Sequence, residues 1–432
     1  MKDISEQCIK LVEELEIQFS KVEQFFKQFK SEILSKYSIL ESKLLNLNQN
    51  QISNTLSNFV KFNEEKKELA NDFIRITDNF IESLRESSKK FEISQVDDFQ
   101  TFEDEVHDNS KPFSYVLMQE NRKHSSIRCC SFAFNNDSSI IVAGLESGAI
   151  QIFELVNELM KEKQICKNHK DAVYCLQFMT KSNQFVSGSE DASLIIWSIN
   201  DQQEWFNSTK LIGHTGIMMC LILDNSENVI FSGNSDRSIK IWDKQCNYNC
   251  TQTLNEISGD ILSLSLNSGQ DMLISCIEKS DQIIVYQRSD NLWKFYQKIS
   301  VQLWGYRLCF VGNNRFAFQP NASNIMEIYE LNQITKQFTQ INKVPVESDS
   351  KCDALFPQQF VKQKSILVNK NGCFVNLFRI MPNKTIQSQE SIKFCSEQIY
   401  GALDKKGEYL ITWDEYSQQV QLRKYKEQQI II

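Results

Sequence analysis

The chain has 432 residues, of which 41% are hydrophobic and 24% charged, ordinary values that exclude collagen-like, mucin-like and wholly disordered proteins. The formal net charge is −8. Residues 1–110 carry all of it with 14 Lys/Arg against 22 Asp/Glu, and the rest of the chain is balanced. Neither residues 1–110 nor the rest of the chain therefore has the basic excess of a nucleic-acid binder. The sequence shows no secretory signal and no run of about 18 apolar residues, so we expect a cytoplasmic protein that binds neither nucleic acid nor membranes.

The thirteen cysteines do not form the pattern of a disulfide framework or a zinc site. None lies in a CxxC pair, and the closest associations are Cys129 with Cys130 and Cys246 with Cys250. In a chain without a secretory signal, buried reduced thiols are the simpler interpretation. The sequence also lacks HExxH, GxxxxGK[ST] and GxGxxG motifs, so it predicts neither a metal ion nor a cofactor.

Residues 1–111 contain no Gly, Pro or Trp, and this absence of helix breakers favours a helical region. Apolar residues recur every three or four positions in two stripes separated by a polar stretch at 46–54, a pattern typical of coiled coils. We therefore predict a helical arm of two long helices at 1–96, followed by an acidic linker at 97–112. Because one helix cannot bury its own stripe, the arm is expected to self-associate or to dock elsewhere. Pairing within one chain and pairing between chains both remain open.

From about residue 113 the hydrophobic period changes to two. Short runs rich in Ile, Val and Phe alternate with Ser, Asn, Gly and Asp turns, which predicts an all-β domain. Two segments of this domain are copies of one unit, because six identical residue pairs lie 45 positions apart. The pairs are His169/His214, Cys175/Cys220, Ser187/Ser232, Gly188/Gly233, Asp191/Asp236 and Trp197/Trp242. A repeat of this length indicates an array of similar supersecondary units.

This pattern resembles the WD40 repeat, whose units of about 40–45 residues form four-stranded propeller blades. An aromatic or apolar residue expected near the end of each third strand recurs every 43 to 49 residues. These residues are Phe153, Trp197, Trp242, Tyr286, Tyr329, Phe378 and Leu422. The resemblance implies an all-β seven-bladed WD40 propeller at 113–432, in which a strand at 114–121 completes blade 7 and closes the ring. The whole chain looks like the coiled-coil-plus-propeller proteins that some protists carry as large paralogous sets.

The resemblance also gives the two repeated histidines a role. In WD40 proteins this His is held between an Asp and a Ser that leads to the Trp. Two buried tetrads are therefore implied: Asp191, His169, Ser187 and Trp197 in blade 2, and Asp236, His214, Ser232 and Trp242 in blade 3. An Asp–His–Ser set could also be a catalytic triad, but its recurrence at one offset in two blades favours a structural role, so we expect no enzyme. Blade 1 has Ser147 and Phe153 at the Asp and Trp positions, and blade 4 has Ser258 where the His would be.

We expect a non-catalytic scaffold or adaptor for other proteins, because a propeller presents binding loops on a rigid frame. Family geometry places Glu146, Glu190 and Ser235 on one face as candidate partner-binding residues, while the helical arm mediates oligomerisation or docking. Two alternatives stay open: the WD40 component of cytosolic iron–sulfur protein assembly, and a substrate adaptor of a ubiquitin ligase. The sequence names neither the partner nor the pathway, nor the propeller face that is used.

Overall fold

The computed structural model describes residues 111–255, 257–349, 352 and 356–428. The predicted helical arm at 1–96, its break at 46–54 and all but the last two residues of the linker at 97–112 lie outside the described residues. In the described part, the regular structure is β-strand apart from two short 3-10 helices, Lys244–Cys246 and Lys362–Lys364.

The strands form seven antiparallel sheets of four strands each, which we number as blades. Blade 1 consists of β2 (Cys129–Phe134), β3 (Ile140–Leu145), β4 (Ala149–Val156) and β5 (Leu159–Lys167). Blade 2 consists of β6 (Val173–Met179), β7 (Gln184–Ser189), β8 (Ser193–Ile199) and β9 (Trp205–Ile212). Blade 3 consists of β10 (Met218–Leu223), β11 (Val229–Asn234), β12 (Ile239–Asp243) and β13 (Asn249–Leu254). Blade 4 consists of β14 (Ile261–Leu266), β15 (Met272–Ile277), β16 (Gln282–Ser289) and β17 (Leu292–Ser300).

The remaining three blades follow the same plan, except that the last one takes a strand from the other end of the domain. Blade 5 consists of β18 (Gly305–Phe310), β19 (Arg315–Pro320), β20 (Ile325–Leu331) and β21 (Phe338–Pro345). Blade 6 consists of β22 (Gln359–Val361), β23 (Ile366–Asn371), β24 (Phe374–Ile380) and β25 (Ile386–Lys393). Blade 7 consists of β26 (Ile399–Leu403), β27 (Tyr409–Asp414), β28 (Gln419–Glu427) and β1 (Phe113–His124). The predicted all-β seven-bladed propeller is therefore confirmed.

The ring closes where β1 pairs with β28. The ladder runs from Phe113 opposite Glu427 to Leu117 opposite Arg423, and it resumes at Arg122 after an irregularity. Arg379 of blade 6 holds the entry of this strand, since its Nη2 donates to the carbonyl of Lys111 and to the hydroxyl of Tyr425, both at 3.0 Å. The strand that completes blade 7 is thus supplied by the residues that precede blade 1, and it contains the expected segment 114–121.

The seven residues expected near the ends of the third strands all lie within those strands, one to five residues before their ends. In blades 1 to 6 the ladder between the third and fourth strands shifts register immediately before this residue. Such a bulge adds one residue to the outer strand and increases its twist. The repeat therefore fixes the strand geometry as well as the core.

The repeated glycines Gly188 and Gly233 permit close packing within a blade and between neighbouring blades. A Cβ on Gly188 would lie 2.6 Å from Sγ of Cys175, and a Cβ on Gly233 would lie 2.6 Å from Cγ2 of Ile261 in the next blade. Both distances are too short for a non-bonded contact of a Cβ atom, so a residue larger than glycine would not fit at either position. Cys175 and Cys220 sit directly over these glycines, which explains why a small apolar residue recurs there.

A second repeating contact, which the sequence analysis missed, joins the outer strands of neighbouring blades. In three seams a Gln side chain of one blade makes two hydrogen bonds to the backbone of an aromatic residue 41 positions later, in the next blade. The amide N–H of the Gln donates to the carbonyl of that residue, and the amide oxygen accepts its N–H. We call these contacts amide clasps: Gln164 with Trp205, Gln252 with Trp293, and Gln297 with Phe338. At the equivalent position in blade 6, Glu390 accepts the N–H of Tyr115 at 2.7 Å and has no N–H to donate.

Candidate functional site

The predicted tetrad of blade 3 forms a continuous chain of side chains from the surface turn to the core. Trp242 Nε1–H donates to Ser232 Oγ at 2.8 Å, and Ser232 Oγ lies 2.8 Å from His214 Nε2. His214 Nδ1 lies 2.8 Å from Asp236 Oδ2. Asp236 also accepts the backbone N–H groups of Thr215 and Ser238, so the same carboxylate fixes two turns.

Blade 2 contains the same arrangement with nearly the same distances. Trp197 Nε1 lies 2.8 Å from Ser187 Oγ, which lies 2.7 Å from His169 Nε2, and His169 Nδ1 lies 3.1 Å from Asp191 Oδ2. The serine, histidine and tryptophan side chains are buried in both blades. The structure thus brings together all four predicted members in each of the two repeats.

The carboxylate decides the protonation of the histidine. A carboxylate only accepts, so Nδ1 of His214 carries the proton and Nε2 of the neutral ring accepts from the hydroxyl of Ser232. Burial lowers the pKa of His214 and outweighs the opposite effect of Asp236, which keeps the ring neutral. For Asp191, burial raises the pKa, but the hydrogen bonds from Ser193, Lys170 N–H and His169 outweigh it and lower the pKa to about 2.

The tetrads do not have the geometry of an exposed nucleophile. Ser187 and Ser232 are fully buried, and each hydroxyl already has the indole N–H of its tryptophan and the imidazole of its histidine as partners. A triad needs a hydroxyl that a substrate carbonyl can reach. Both tetrads instead connect a surface turn to the third strand through buried hydrogen bonds.

The other blades fill the tetrad position differently. In blade 4 the register places buried Ile257, one residue before the expected Ser258, at the position of His214. The hydroxyl of Ser275, equivalent to Ser232, is consequently buried with no hydrogen-bond partner among the described residues. In blade 7 the register places Arg423, and not the expected Leu422, at the position of Trp242, and Thr412 at the position of Ser232. Arg423 donates to Thr412 Oγ1 and to Gln421 Oε1, both at 2.8 Å.

The tetrads define one face of the ring. Strands alternate in direction, so the connections between blades and the turns between second and third strands lie at the same end; we call this end the tetrad face. Glu146, Glu190 and Ser235 lie in three of these turns. Ser235 is half-buried and its Oγ accepts the N–H of Ile217 at 2.7 Å, so it stabilises the turn. Glu190 accepts from Tyr174 Oη at 2.9 Å, whereas Glu146 is exposed.

The tetrad face is strongly acidic compared with the opposite face. Its connecting segments carry twelve Asp/Glu and four Lys/Arg among the described residues, whereas the segments of the opposite face carry ten and eight. The acidic residues of the tetrad face are Glu146, Asp171, Glu190, Asp191, Asp236, Asp260, Glu278, Asp281, Glu347, Asp349, Glu397 and Glu415, and the basic ones are Arg128, Lys170, Arg237 and Lys279. The charge of the propeller is therefore concentrated on one side.

Exposed apolar side chains accompany this charge where blade 7 meets blade 1. Tyr416 is 75% exposed and Ile127 is 43% exposed, on two loops joined by a 2.8 Å hydrogen bond from the N–H of Ser125 to the carbonyl of Gln418. Arg128 lies 3.6 Å from Glu146 and 4.0 Å from Glu415. We call Ile127, Arg128, Glu146, Glu415 and Tyr416 the blade 7–1 patch. It contains a tyrosine and an arginine, two residue types that are enriched in protein-binding hot spots.

The first strands of all seven blades line a central channel with a volume of about 420 Å³. Within the described residues, no three His, Cys, Asp or Glu side chains are grouped to hold a metal ion. The twelve cysteines in this part are reduced. No helix in the same part of the chain is long and apolar enough to span a membrane.

Comparison with known proteins agrees with this geometry. Residues 160–198 and 206–243 match the family model of the WD domain, G-beta repeat (WD40). The two segments contain the complete tetrads of blades 2 and 3. The chain therefore carries WD40 repeats in a seven-bladed propeller.

Curated proteins with similar sequences come from unrelated systems. The chain is 26% identical to a ribosome biogenesis protein WDR12 homolog from Trichoplax adhaerens over 39% of this chain and 39% of that protein. It is 25% identical to a guanine nucleotide-binding protein subunit beta from Oryza sativa subsp. indica over 43% of this chain and 54% of that protein. It is 28% identical to transducin beta-like protein 3 from Rattus norvegicus over 42% of this chain and 22% of that protein. The chain thus spans about half or less of these relatives, and the similarity supports a protein-interaction scaffold in general terms.

Proposed function

We propose that this protein is a non-catalytic scaffold whose tetrad face binds basic segments of partner proteins, with the blade 7–1 patch at the centre of the binding surface. The observation that carries the proposal is the combination of acidic and exposed apolar side chains at one edge of a rigid face. The WD40 propellers that the chain resembles support the general class, and the patch supplies the specific surface.

The electrostatics favour a basic partner. Arg128 is the one cation of the patch and it lies between two carboxylates, so Glu146 and Glu415 share a single counter-charge. Glu190 of the neighbouring turn adds a third carboxylate. A Lys or Arg side chain of a partner would relieve this imbalance, while Tyr416 and Ile127 provide apolar contact area. Charge complementarity of this kind raises the association rate and weakens with added salt.

The test compares two charge-removing variants of the full chain. The patch variant carries Glu146→Gln, Glu190→Gln and Glu415→Gln. The control variant carries Asp201→Asn, Glu204→Gln and Asp290→Asn, three exposed positions on the opposite face. Each tagged protein is used to capture partners from the cells that express it, at low and high salt. We expect the wild type and the control to retain a common set of proteins that the patch variant loses.

The identity of the captured proteins separates the alternatives. Recovery of iron–sulfur assembly factors would favour a role in that pathway, and recovery of ligase subunits would favour a ubiquitin-ligase adaptor. Identical protein sets from the patch and control variants would show that the tetrad face is not the binding surface. A cytoplasmic location and oligomerisation through residues 1–96 form part of the proposal, and both rest on the sequence.

A further inference from the structure

A cavity of about 140 Å³ lies in the seam between blades 3 and 4. It adjoins the central channel, with which it shares Leu266 and Gln270, and has no residue in common with the blade 7–1 patch. Its apolar walls come from Phe231 and Ile241 of blade 3 and from Leu266 and Trp293 of blade 4. A cavity of about 150 Å³ with apolar walls is large enough to hold a benzene-sized group. The seam therefore has room for one large side chain.

We propose that this cavity is a second docking pocket, which takes a Leu-sized or aromatic side chain of a partner protein that has a Lys or Arg next to it. The proposal rests on the scaffold function but uses a different surface, so the two can fail separately. We call the site the seam pocket.

The apolar surface continues outside the seam pocket, which is the first argument for an external occupant. Leu292 lines the pocket and is 49% exposed, so the apolar lining reaches the protein surface. A packing defect inside a core would have no reason to end at an exposed apolar side chain. Leu292 thus extends the pocket to a surface that a partner segment can contact.

The charges at the mouth are the second argument and select a basic neighbour. Asp224 and Asp243 both line the pocket beside Val229, since Asp224 Oδ1 accepts the N–H of Val229 at 2.9 Å and Asp243 is its cross-strand neighbour. Asp243 Oδ1 accepts the N–H of Gln245, and its Oδ2 has no partner among the described residues. Arg288 on the opposite wall provides one positive charge against two negative ones. A partner cation can therefore pair with Asp243 while the adjacent apolar side chain fills the pocket.

Three capped dipeptides test the proposal on the full chain: N-acetyl-Leu-Lys-amide, N-acetyl-Leu-Glu-amide and N-acetyl-Gly-Lys-amide. Binding is followed through the indole N–H resonance of Trp293, which lines the pocket and can be assigned with a Trp293→Phe variant. We expect a saturable shift in the millimolar range with Leu-Lys. Leu-Glu should bind about two- to fivefold more weakly because a rim charge is worth little. Gly-Lys should bind at least about tenfold more weakly because it buries no large side chain.

Two variants make the result specific. Val229→Phe fills the pocket and should abolish the shift, with Leu266→Phe as the replacement if that variant does not fold. Asp243→Asn keeps the oxygen that accepts from Gln245 and should bring the affinities for Leu-Lys and Leu-Glu together. The patch variant described above should bind Leu-Lys like the wild type. An absent shift, an equal shift in the filled variant, or a preference for Leu-Glu would each overturn the proposal.

Discussion

Ser232→Ala and Ser275→Ala remove the same hydroxyl from equivalent positions of neighbouring blades, and we expect opposite changes in stability. Ser232 accepts from the indole of Trp242 and donates to His214, each at 2.8 Å in a buried environment. Ser275 is equally buried, but its hydroxyl has no partner in the described part of the chain. The pair therefore separates the energy of the tetrad from the energy of the side-chain volume.

The magnitudes follow from the groups that each change leaves behind. Without Ser232, the indole N–H and His214 Nε2 both lose their partners, and each unsatisfied buried group costs about 1–3 kcal/mol. Allowing for some relaxation, the free energy of unfolding should fall by about 2–4 kcal/mol. Without Ser275, the protein no longer buries an unbonded hydroxyl, whose cost in proteins is about 1–3 kcal/mol. A gain of about 1 kcal/mol is expected after the loss of packing is subtracted.

Urea unfolding followed by circular dichroism and tryptophan fluorescence measures both changes. The midpoint should fall for Ser232→Ala and rise for Ser275→Ala, with unchanged slopes. Ser187→Ala, the same change in blade 2, is the control and should behave like Ser232→Ala. Equal midpoints for Ser232→Ala and Ser275→Ala would refute the assignment of the tetrad as a net source of stability.

Three further predictions concern protonation, the amide clasps and the arm. Burial lowers the pKa of His214, so the neutral ring stabilises the fold above its unfolded pKa of about 6.5, and this stabilisation is lost as the pH falls below that value. In urea unfolding at a series of pH values between about 7.5 and 5.5, the free energy of unfolding of His214→Gln should therefore fall less steeply than that of the wild type. Glu390→Gln should add the missing N–H donor of its clasp with Tyr115 and raise the free energy of unfolding by about 1 kcal/mol. Gln164→Glu should remove the hydrogen bond to the carbonyl of Trp205 and lower the free energy of unfolding by a similar amount. Urea unfolding measures both changes. Analytical ultracentrifugation should find the full chain self-associated and a version lacking residues 1–96 monomeric.

The sequence was informative where one repeat unit carries its whole network. In blades 2 and 3, every tetrad member lies within 30 residues of the others, so a spacing of 45 reveals the set. The third-strand positions of blades 1 to 6 were predictable for the same reason, whereas in blade 7 the expected Leu422 lies one residue before the equivalent position. Bulky residues must recur there because each sheet packs on the next, whatever the turns contain.

Hydrogen bonds between neighbouring blades gave a weaker signal in the sequence. The amide clasps join residues 41 positions apart, and a search for Gln followed at that interval by an aromatic residue would have found three of them. In blade 7 the interval between repeats pointed to Leu422, whereas the strand register places Arg423, one residue later, at the position of Trp242. In blade 4 a shift of one residue put Ser258 where the structure has Ile257, because a single turn residue does not fix the register.

The turns also show why the candidate binding residues and the buried tetrads cannot vary independently. Glu190 directly precedes Asp191, whose carboxylate accepts the N–H groups of Lys170 and Ser193 and so fixes the turn. The position of Glu190, which is half-buried, is thereby set by the buried carboxylate beside it. Under the binding role that we propose, loss of Asp191 is expected to weaken partner binding through a disordered turn, whereas loss of Glu190 would remove a partner contact and the hydrogen bond from Tyr174. In that proposal the tetrads fix the turns, and the residues beside them determine which protein the face binds.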